Sequence, residues 1–301
     1  MDQVVVIVGP TGAGKTELAL KLAKKYHGEI IGADSRQVYK KLNIGTAKPR
    51  GEWRGGVYLV DRIPYHLVDI IEPDEPFTLA DYKKLALVKI REVISRGRRP
   101  ILVGGTGLYI STIVHNWQLP ALAADKIVRQ ELEKKSTKEL LEMLGKLDRP
   151  AWQAIDKKNR RRLVRALEVW LLSGQPFSVQ RRKSQPLFEF LQIGLAVPRQ
   201  NLDQTLDKRV EEMIKAGLVK EVRELLAAGY PEDLPALASI GYREIIDYLK
   251  GRVALAEAIR LIKQHTHLYA RRQLTWFRKD QTIRWVKGGP GADSLVANFS
   301  F

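Results

Sequence analysis

Gly9-Pro10-Thr11-Gly12-Ala13-Gly14-Lys15-Thr16 decides how the rest of this sequence is read. The stretch fits the pattern G-x-x-x-x-G-K-[ST], and its flanks supply the context that the pattern requires. Before it stands the apolar run Val4 to Val8, short and β-branched, as a buried strand is. After it Leu18, Ala19, Leu22, Ala23 and Tyr26 recur at helical spacing, so the stretch is a strand-to-helix turn. Its glycines let backbone N–H groups converge on an anion, and the helix N-terminus adds partial positive charge. Lys15 then reaches the outer phosphate, and the Thr16 hydroxyl is placed to ligate Mg²⁺. The expected ligand carries at least a diphosphate; whether that diphosphate belongs to a nucleotide stays open.

Further along, Gly28 ends the first helix, and Glu29-Ile30-Ile31-Gly32-Ala33 reads as a second buried strand running into Asp34-Ser35-Arg36-Gln37. Parallel α/β sheets gather catalytic groups at the carboxyl ends of their strands, where Asp34 stands. The same position suits a Mg²⁺-holding carboxylate, or Asp34 or Ser35 as a helix N-cap. From Lys40 to Pro76, glycines and prolines punctuate the chain so often that a long irregular loop system is expected, with His66 a hydrogen-bonded structural residue. Leu79, Tyr82, Leu85, Ala86, Lys89 and Val93 mark an amphipathic helix ending at Arg96-Gly97. A third buried strand, Pro100 to Val103, leads into Gly104-Gly105-Thr106-Gly107. This alternation predicts a parallel sheet with both glycine loops on its carboxyl edge. The second loop either faces the first or is a tight turn whose glycines let helix and strand approach.

From about His115 the pattern turns helical: Asp125 to Lys135, Thr137 to Lys146, and Asn159 to Ser173 closed by Gly174. Phe190 to Val197 then reads as a strand returning to the sheet. The fold class is therefore α/β, a P-loop NTPase-like parallel sheet core with helices on both faces, residues 1–114 and 190–301, and an inserted all-helical domain, residues 115–189. In the insertion Arg161 and Arg165 lie one turn apart, which suits a phosphate backbone or, because Glu168 can pair with Arg165, a solvated face. Arg181-Arg182-Lys183 adds a second basic cluster. Beyond it, Asp207 to Leu226 reads as one helix, Arg252 to about Lys279 as a long one, Gln281 to Val286 as a last strand and the rest as a loose tail. On the long helix Ile259, Ile262, Thr266, Tyr269, Gln273 and Trp276 share a mostly apolar face. Arg260, Lys263, His267, Arg271 and Arg278 trace a basic stripe suited to a nucleic-acid backbone.

Composition agrees with a polyanionic partner. The 301 residues carry a formal charge of +17, and residues 121–301, with 33 basic and 22 acidic side chains, hold most of it. The absence of cysteine excludes disulfides and cysteine-based zinc sites. No run is long enough to span a membrane and no signal peptide opens the sequence, so a cytoplasmic protein is expected.

GPTGAGKT at Gly9 to Thr16, DSRQVY at Asp34 to Tyr39 running into IGTAKP at Ile44 to Pro49, GGTGLY at Gly104 to Tyr109, RRLVRALEV at Arg161 to Val169, IGYREI at Ile240 to Ile245 and RRQLTWFR at Arg271 to Arg278 together resemble the tRNA dimethylallyltransferase family. The likeness runs in order over nearly the whole chain and is to the bacterial type. It implies transfer of a dimethylallyl group from dimethylallyl diphosphate to N6 of the adenosine immediately 3′ of a tRNA anticodon, with Mg²⁺ as cofactor, tRNA as partner and no membrane. A monomer is expected. In that reading the cradle of Gly9, Pro10, Thr11, Gly12, Ala13, Gly14, Lys15 and Thr16 holds the diphosphate, with Mg²⁺ on Thr16. Asp34 orients the amine and takes its proton, and Thr106 sits near the bridging oxygen or the amine. The positions implied as tRNA contacts are Asp34, Ser35, Arg36, Gln37, Arg129, Arg161, Arg162, Leu163, Val164, Arg165, Gly241, Tyr242, Arg243, Arg271, Arg272, Gln273, Trp276 and Arg278. Tyr65-His66 stands where the family often has two histidines, and His267 where an arginine is common. The residues alone also admit a P-loop NTPase or kinase acting on RNA or a nucleotide, an adenylate dimethylallyltransferase, and a non-catalytic RNA-binding protein.

Overall fold

A computed structural model describes residues 1–119, 125–180 and 184–299. The basic cluster at Arg181 to Lys183 lies outside the described residues. The chain divides into two compact units, Met1–Val114 with Leu187–Phe301, and His115–Pro186.

The larger unit is a mixed α/β structure. Its elements are β1 (Gln3–Val8), α1 (Lys15–Lys25), β2 (Gly28–Gly32), β3 (Glu52–Arg54), β4 (Val57–Val60), β5 (Ile63–His66), α2 (Leu79–Ser95), β6 (Arg99–Val103) and α3 (Gly107–Val114). The smaller unit contributes α4 (Lys126–Lys134), α5 (Thr137–Leu147), α6 (Arg149–Ala154), α7 (Arg160–Ser173) and α8 (Phe177–Gln180). The larger unit resumes with β7 (Glu189–Leu195), α9 (Arg199–Lys215), α10 (Leu218–Ala227), α11 (Tyr242–Leu249), α12 (Leu255–Phe277), β8 (Arg284–Val286) and α13 (Gly289–Ala297).

The strands form one eight-stranded sheet in the order β3-β4-β5-β2-β6-β1-β7-β8. From β5 to β8 every pairing is parallel, and β3 and β4 join antiparallel at one edge. Strand periodicity explains the layers. Val4, Val6 and Val8 of β1 point into the core that contains Tyr82, Ala86 and Ile90 of α2 and Ile110 of α3. Val5 and Ile7 point the other way, against Leu18, Ala19 and Leu22 of α1 and Val296 of α13. With helices on both faces, each central strand is buried on both sides and reads as a continuous apolar run.

Three expectations need correction. The passage from Lys40 to Pro76 contains β3, β4 and β5, whose few residues each were hidden by the turn residues between them. Gly55-Gly56 and Asp61-Arg62 all have positive φ, as two-residue hairpin turns require. The helix read over Asp207 to Leu226 is two helices, because Gly217 takes φ +102° between α9 and α10. The tail holds α13, whose Ala292 and Val296 are buried against the sheet. In the smaller unit, α4, α5 and α7 surround a core of Leu132, Leu140, Leu144, Leu163, Val164 and Leu167.

Candidate active site

The carboxyl ends of β1, β2 and β6 meet at a cleft of about 470 Å³ in the larger unit. Thr11, Gly12, Gly14, Lys15 and Thr16 line it from the first loop, Asp34 and Gln37 from the second, and Gly104 and Gly105 from the third. Thr205, Lys208 and Arg209 of α9, Gln273 of α12 and Tyr65 of β5 add to the wall, and the carboxylates of Glu17 and Glu212 also line it.

The first loop is built for an anion. Gly14 adopts φ +82° at the N-cap of α1, so the chain turns sharply onto the helix start. Among the described residues no acceptor takes the N–H groups of Gly12, Gly14, Lys15 and Thr16. Gly9 and Pro10 are buried scaffold: the Pro10 carbonyl accepts the Ala13 N–H at 3.3 Å and the Lys15 ammonium at 2.7 Å. Burial lowers the Lys15 pKa to about 8, opposed by the Asp34 charge and reinforced by Arg209. Arg209, absent from the sequence-based expectations, donates to the Thr11 hydroxyl at 3.2 Å, and burial lowers its pKa too, against the pull of Asp34. Two desolvated cations therefore flank a set of free N–H donors, a site that gains most by binding a polyanion.

Asp34 follows the end of β2, and its Oδ1 accepts the Arg36 N–H at 2.9 Å, which fixes the carboxylate. Tyr65, buried, and Tyr269, half-buried, stand near it, and desolvation, then the Asp34 charge, pushes both phenols up, so they stay neutral neighbours. Gln37 donates to the carbonyls of Thr46 and Ala47, which also line the cleft, at 3.1 and 3.2 Å. Thr106, expected at the diphosphate or amine, stands on the second glycine loop, where its Oγ1 accepts the Ser35 N–H at 3.0 Å and donates to the Ser35 hydroxyl at 3.3 Å, tying that loop to the Asp34 turn. The glycines around it admit α12: a Cβ on Gly105 would lie 2.2 Å from Gln273 Nε2, and one on Gly107 2.3 Å from Trp276. His66 turns away, its Nε2 at 2.7 Å from Glu29, a carboxylate that Arg96 also holds.

The residues expected at RNA sort by exposure. Arg161, Arg162, Arg243, Arg271, Arg272 and Arg278 are exposed, and Ser35 and Arg36 are partly exposed. The side chains of Leu163, Val164 and Tyr242 are buried in core clusters. Gly241 caps α11 at φ +96°, and its N–H donates to Glu244. Trp276 packs on the second glycine loop and donates to Ser111 at 3.2 Å. Arg129 and Arg165 both bind Glu168, which is fully buried; burial pushes that carboxyl up, but the two guanidinium groups hold it below its ordinary range. The basic stripe on α12 is interrupted, because Lys263 pairs with Glu211 and His267 with Asp207, both on α9.

A second groove, of about 510 Å³, runs past Lys41, Asn43 and Glu221. Its carboxylate accepts N–H groups of Asn43, Ile44 and Gly45 and the Tyr242 hydroxyl, and so serves to anchor the loop.

The chain is similar to known proteins over nearly its whole length. A family model described as IPP transferase matches residues 37–280. A tRNA dimethylallyltransferase of Geobacter sulfurreducens is 44% identical over 300 residues, 97% of this chain and 94% of the relative. One of Acetivibrio thermocellus is 42% identical over 293 residues, 95% of this chain and 92% of the relative. Among solved structures, the full-length tRNA isopentenylpyrophosphate transferase of Bacillus halodurans aligns with TM-score 0.70 and 39% identity over 95% of this chain and 90% of its own. A eukaryotic dimethylallyltransferase acting on tRNA aligns with TM-score 0.77 and 26% identity, covering 92% of this chain and 70% of its own. The chain belongs to the IPP transferase family.

Proposed function

We propose that this protein transfers a dimethylallyl group from dimethylallyl diphosphate to N6 of the adenosine immediately 3′ of the anticodon in tRNA, releasing diphosphate. The observation that carries the reading is the cleft itself, where free loop N–H groups, Lys15 and Arg209 face the Asp34 carboxylate. One wall suits a diphosphate leaving group and the other the nucleophile. The core is that of a P-loop fold put to a new use: the cradle holds a leaving group.

In the reaction the N6 nitrogen bonds to C1 of the allyl group as the C1–O bond breaks. The electron pair of that bond goes to the departing diphosphate, whose growing charge the loop N–H groups, Lys15 and Arg209 stabilise. The N6 proton goes to Asp34, the carboxylate with one oxygen already fixed by the Arg36 N–H. Because the target base is stacked in its loop, it must be extruded to reach the cleft. Exposed Arg161, Arg162, Arg271, Arg272 and Arg278 would hold the surrounding RNA backbone. Mg²⁺ fits this donor set: Thr16 and Asp34 line the cleft together, while no group of three acidic, histidine or cysteine ligands occurs among the described residues. Thr16 and the diphosphate oxygens would hold it, and when bound it supplies further positive charge at the leaving group. A monomer is proposed. No helix among the described residues is long and apolar enough to cross a membrane, and the proposed place of action is the cytoplasm, with the tRNA.

Single-turnover transfer into an unmodified tRNA tests the roles. Asp34→Ala is expected to slow the chemical step by ~10²-fold or more while RNA affinity stays within a few-fold. Equal losses of rate and affinity would remove Asp34 from the proton-transfer role.

A further inference from the structure

Gln273, which the family resemblance places among the tRNA contacts, lies in the wall of the cleft. It is 5% exposed, and its amide spans the two glycine loops of the cleft. The Thr11 N–H donates to Oε1 at 2.8 Å, and Nε2 donates to the Gly105 carbonyl at 2.8 Å. The two partners fix the amide's orientation, since reversing it would set a donor against the Thr11 N–H and an acceptor against the Gly105 carbonyl. No neighbouring side chain replaces it: Gly105 is bare where a Cβ would strike the amide nitrogen, and the same absent Cβ would lie 3.7 Å from the Lys15 ammonium.

We propose that Gln273 is a positioning residue for the donor, acting as a neutral staple that sets the separation of the first and second glycine loops. This rests on reading the cleft as a diphosphate site. Held by the staple, the Thr11 N–H is withdrawn from the anion, leaving those of Gly12, Gly14, Lys15 and Thr16 to converge on it. The group that bridges the loops must be uncharged, because a carboxylate beside Lys15 would compete with the anion for the ammonium. It must also carry both a donor and an acceptor, which among side chains of this length leaves glutamine. The same α12 presents Arg271 and Arg272 to solvent one and two residues earlier, so the helix offered to RNA also holds the donor loop.

Gln273→Glu keeps the shape but loses the Nε2 donor and adds charge; Gln273→Met keeps the volume and loses both hydrogen bonds. Calorimetry with inorganic diphosphate reads the staple without catalysis. The expected result is weakening by about tenfold or more for Gln273→Glu and less for Gln273→Met, with a matching rise in donor KM larger than any fall in kcat. Affinity for tRNA stays within twofold in both. Loss of tRNA affinity with unchanged diphosphate binding would overturn the proposal and make Gln273 an RNA contact. Unchanged diphosphate binding and donor KM in both variants would equally overturn it. If Gln273→Glu unfolds, Gln273→Met decides by the same readouts. A wild type that binds diphosphate but transfers nothing to tRNA would fail the functional reading and leave the staple standing.

Discussion

Lys15 reaches back to the Pro10 carbonyl, and burial, opposed by Asp34, holds its pKa at about 8 rather than the ordinary 10.5. An incoming diphosphate favours the ammonium, so its affinity is full while Lys15 is protonated and is lost as pH rises through the free protein's pKa. Titrating inorganic diphosphate between pH 7 and 9.5 is expected to show affinity falling about tenfold per unit above pH 8, with no such slope in Lys15→Met. At this scale the sequence was informative where a motif names its own chemistry, as with Lys15, Thr16 and Asp34. Arg209 was invisible, because Asp207-Lys208-Arg209 has the composition of any solvated helix. Only the packing of α9 against the loop turns that arginine inward.

Helices α7 and α12 show why a row of arginines does not equal a binding face. On α7, Arg161 is exposed whereas Arg165 partners a buried carboxylate. Arg161→Ala is expected to shallow the salt dependence of tRNA binding by about one unit of slope and leave thermal stability unchanged. Arg165→Ala is expected to cost about 1–3 kcal/mol in denaturant unfolding, because Glu168 then keeps Arg129 as its remaining cationic partner. A reversed pattern would put Arg165 at the RNA. The second glycine loop makes a similar point about packing. Gly107→Ala forces a methyl group against Trp276 and is expected to destabilise by roughly 1–3 kcal/mol, while Gly289→Ala, with nothing near its Cβ, is expected to be neutral or slightly stabilising. Equal unfolding midpoints for the two variants would contradict that account. Periodicity revealed the long elements, β1, α1, α2, β6 and α12. It missed β3, β4 and β5 because three or four residues between turns carry no measurable period, and it joined α9 to α10 because one glycine interrupts a helical pattern without erasing it.

Across the whole molecule, the sheet gathers at one edge groups that are 262 residues apart in the chain, Thr11 and Gln273. The matched family range begins at Gln37, beyond the first loop, yet the fold returns that loop to Asp34 through parallel β1, β6 and β2. The alternation of strands and helices made this parallel core legible, and the shift to purely helical periodicity after His115 marked the smaller unit. The direction in which α12 turns its side chains was not legible, since a charged stripe facing α9 and one facing solvent have the same spacing. The net charge of +17 and the shape of the cleft together define the most direct test. Labelled dimethylallyl diphosphate is incubated with Mg²⁺ and an unmodified tRNA whose anticodon is followed by adenosine, with AMP as a competing acceptor and ATP as a competing ligand. The expected result is label in the tRNA, none in AMP, and no hydrolysis of ATP. Label in AMP, or ATP turnover without transfer, would contradict it.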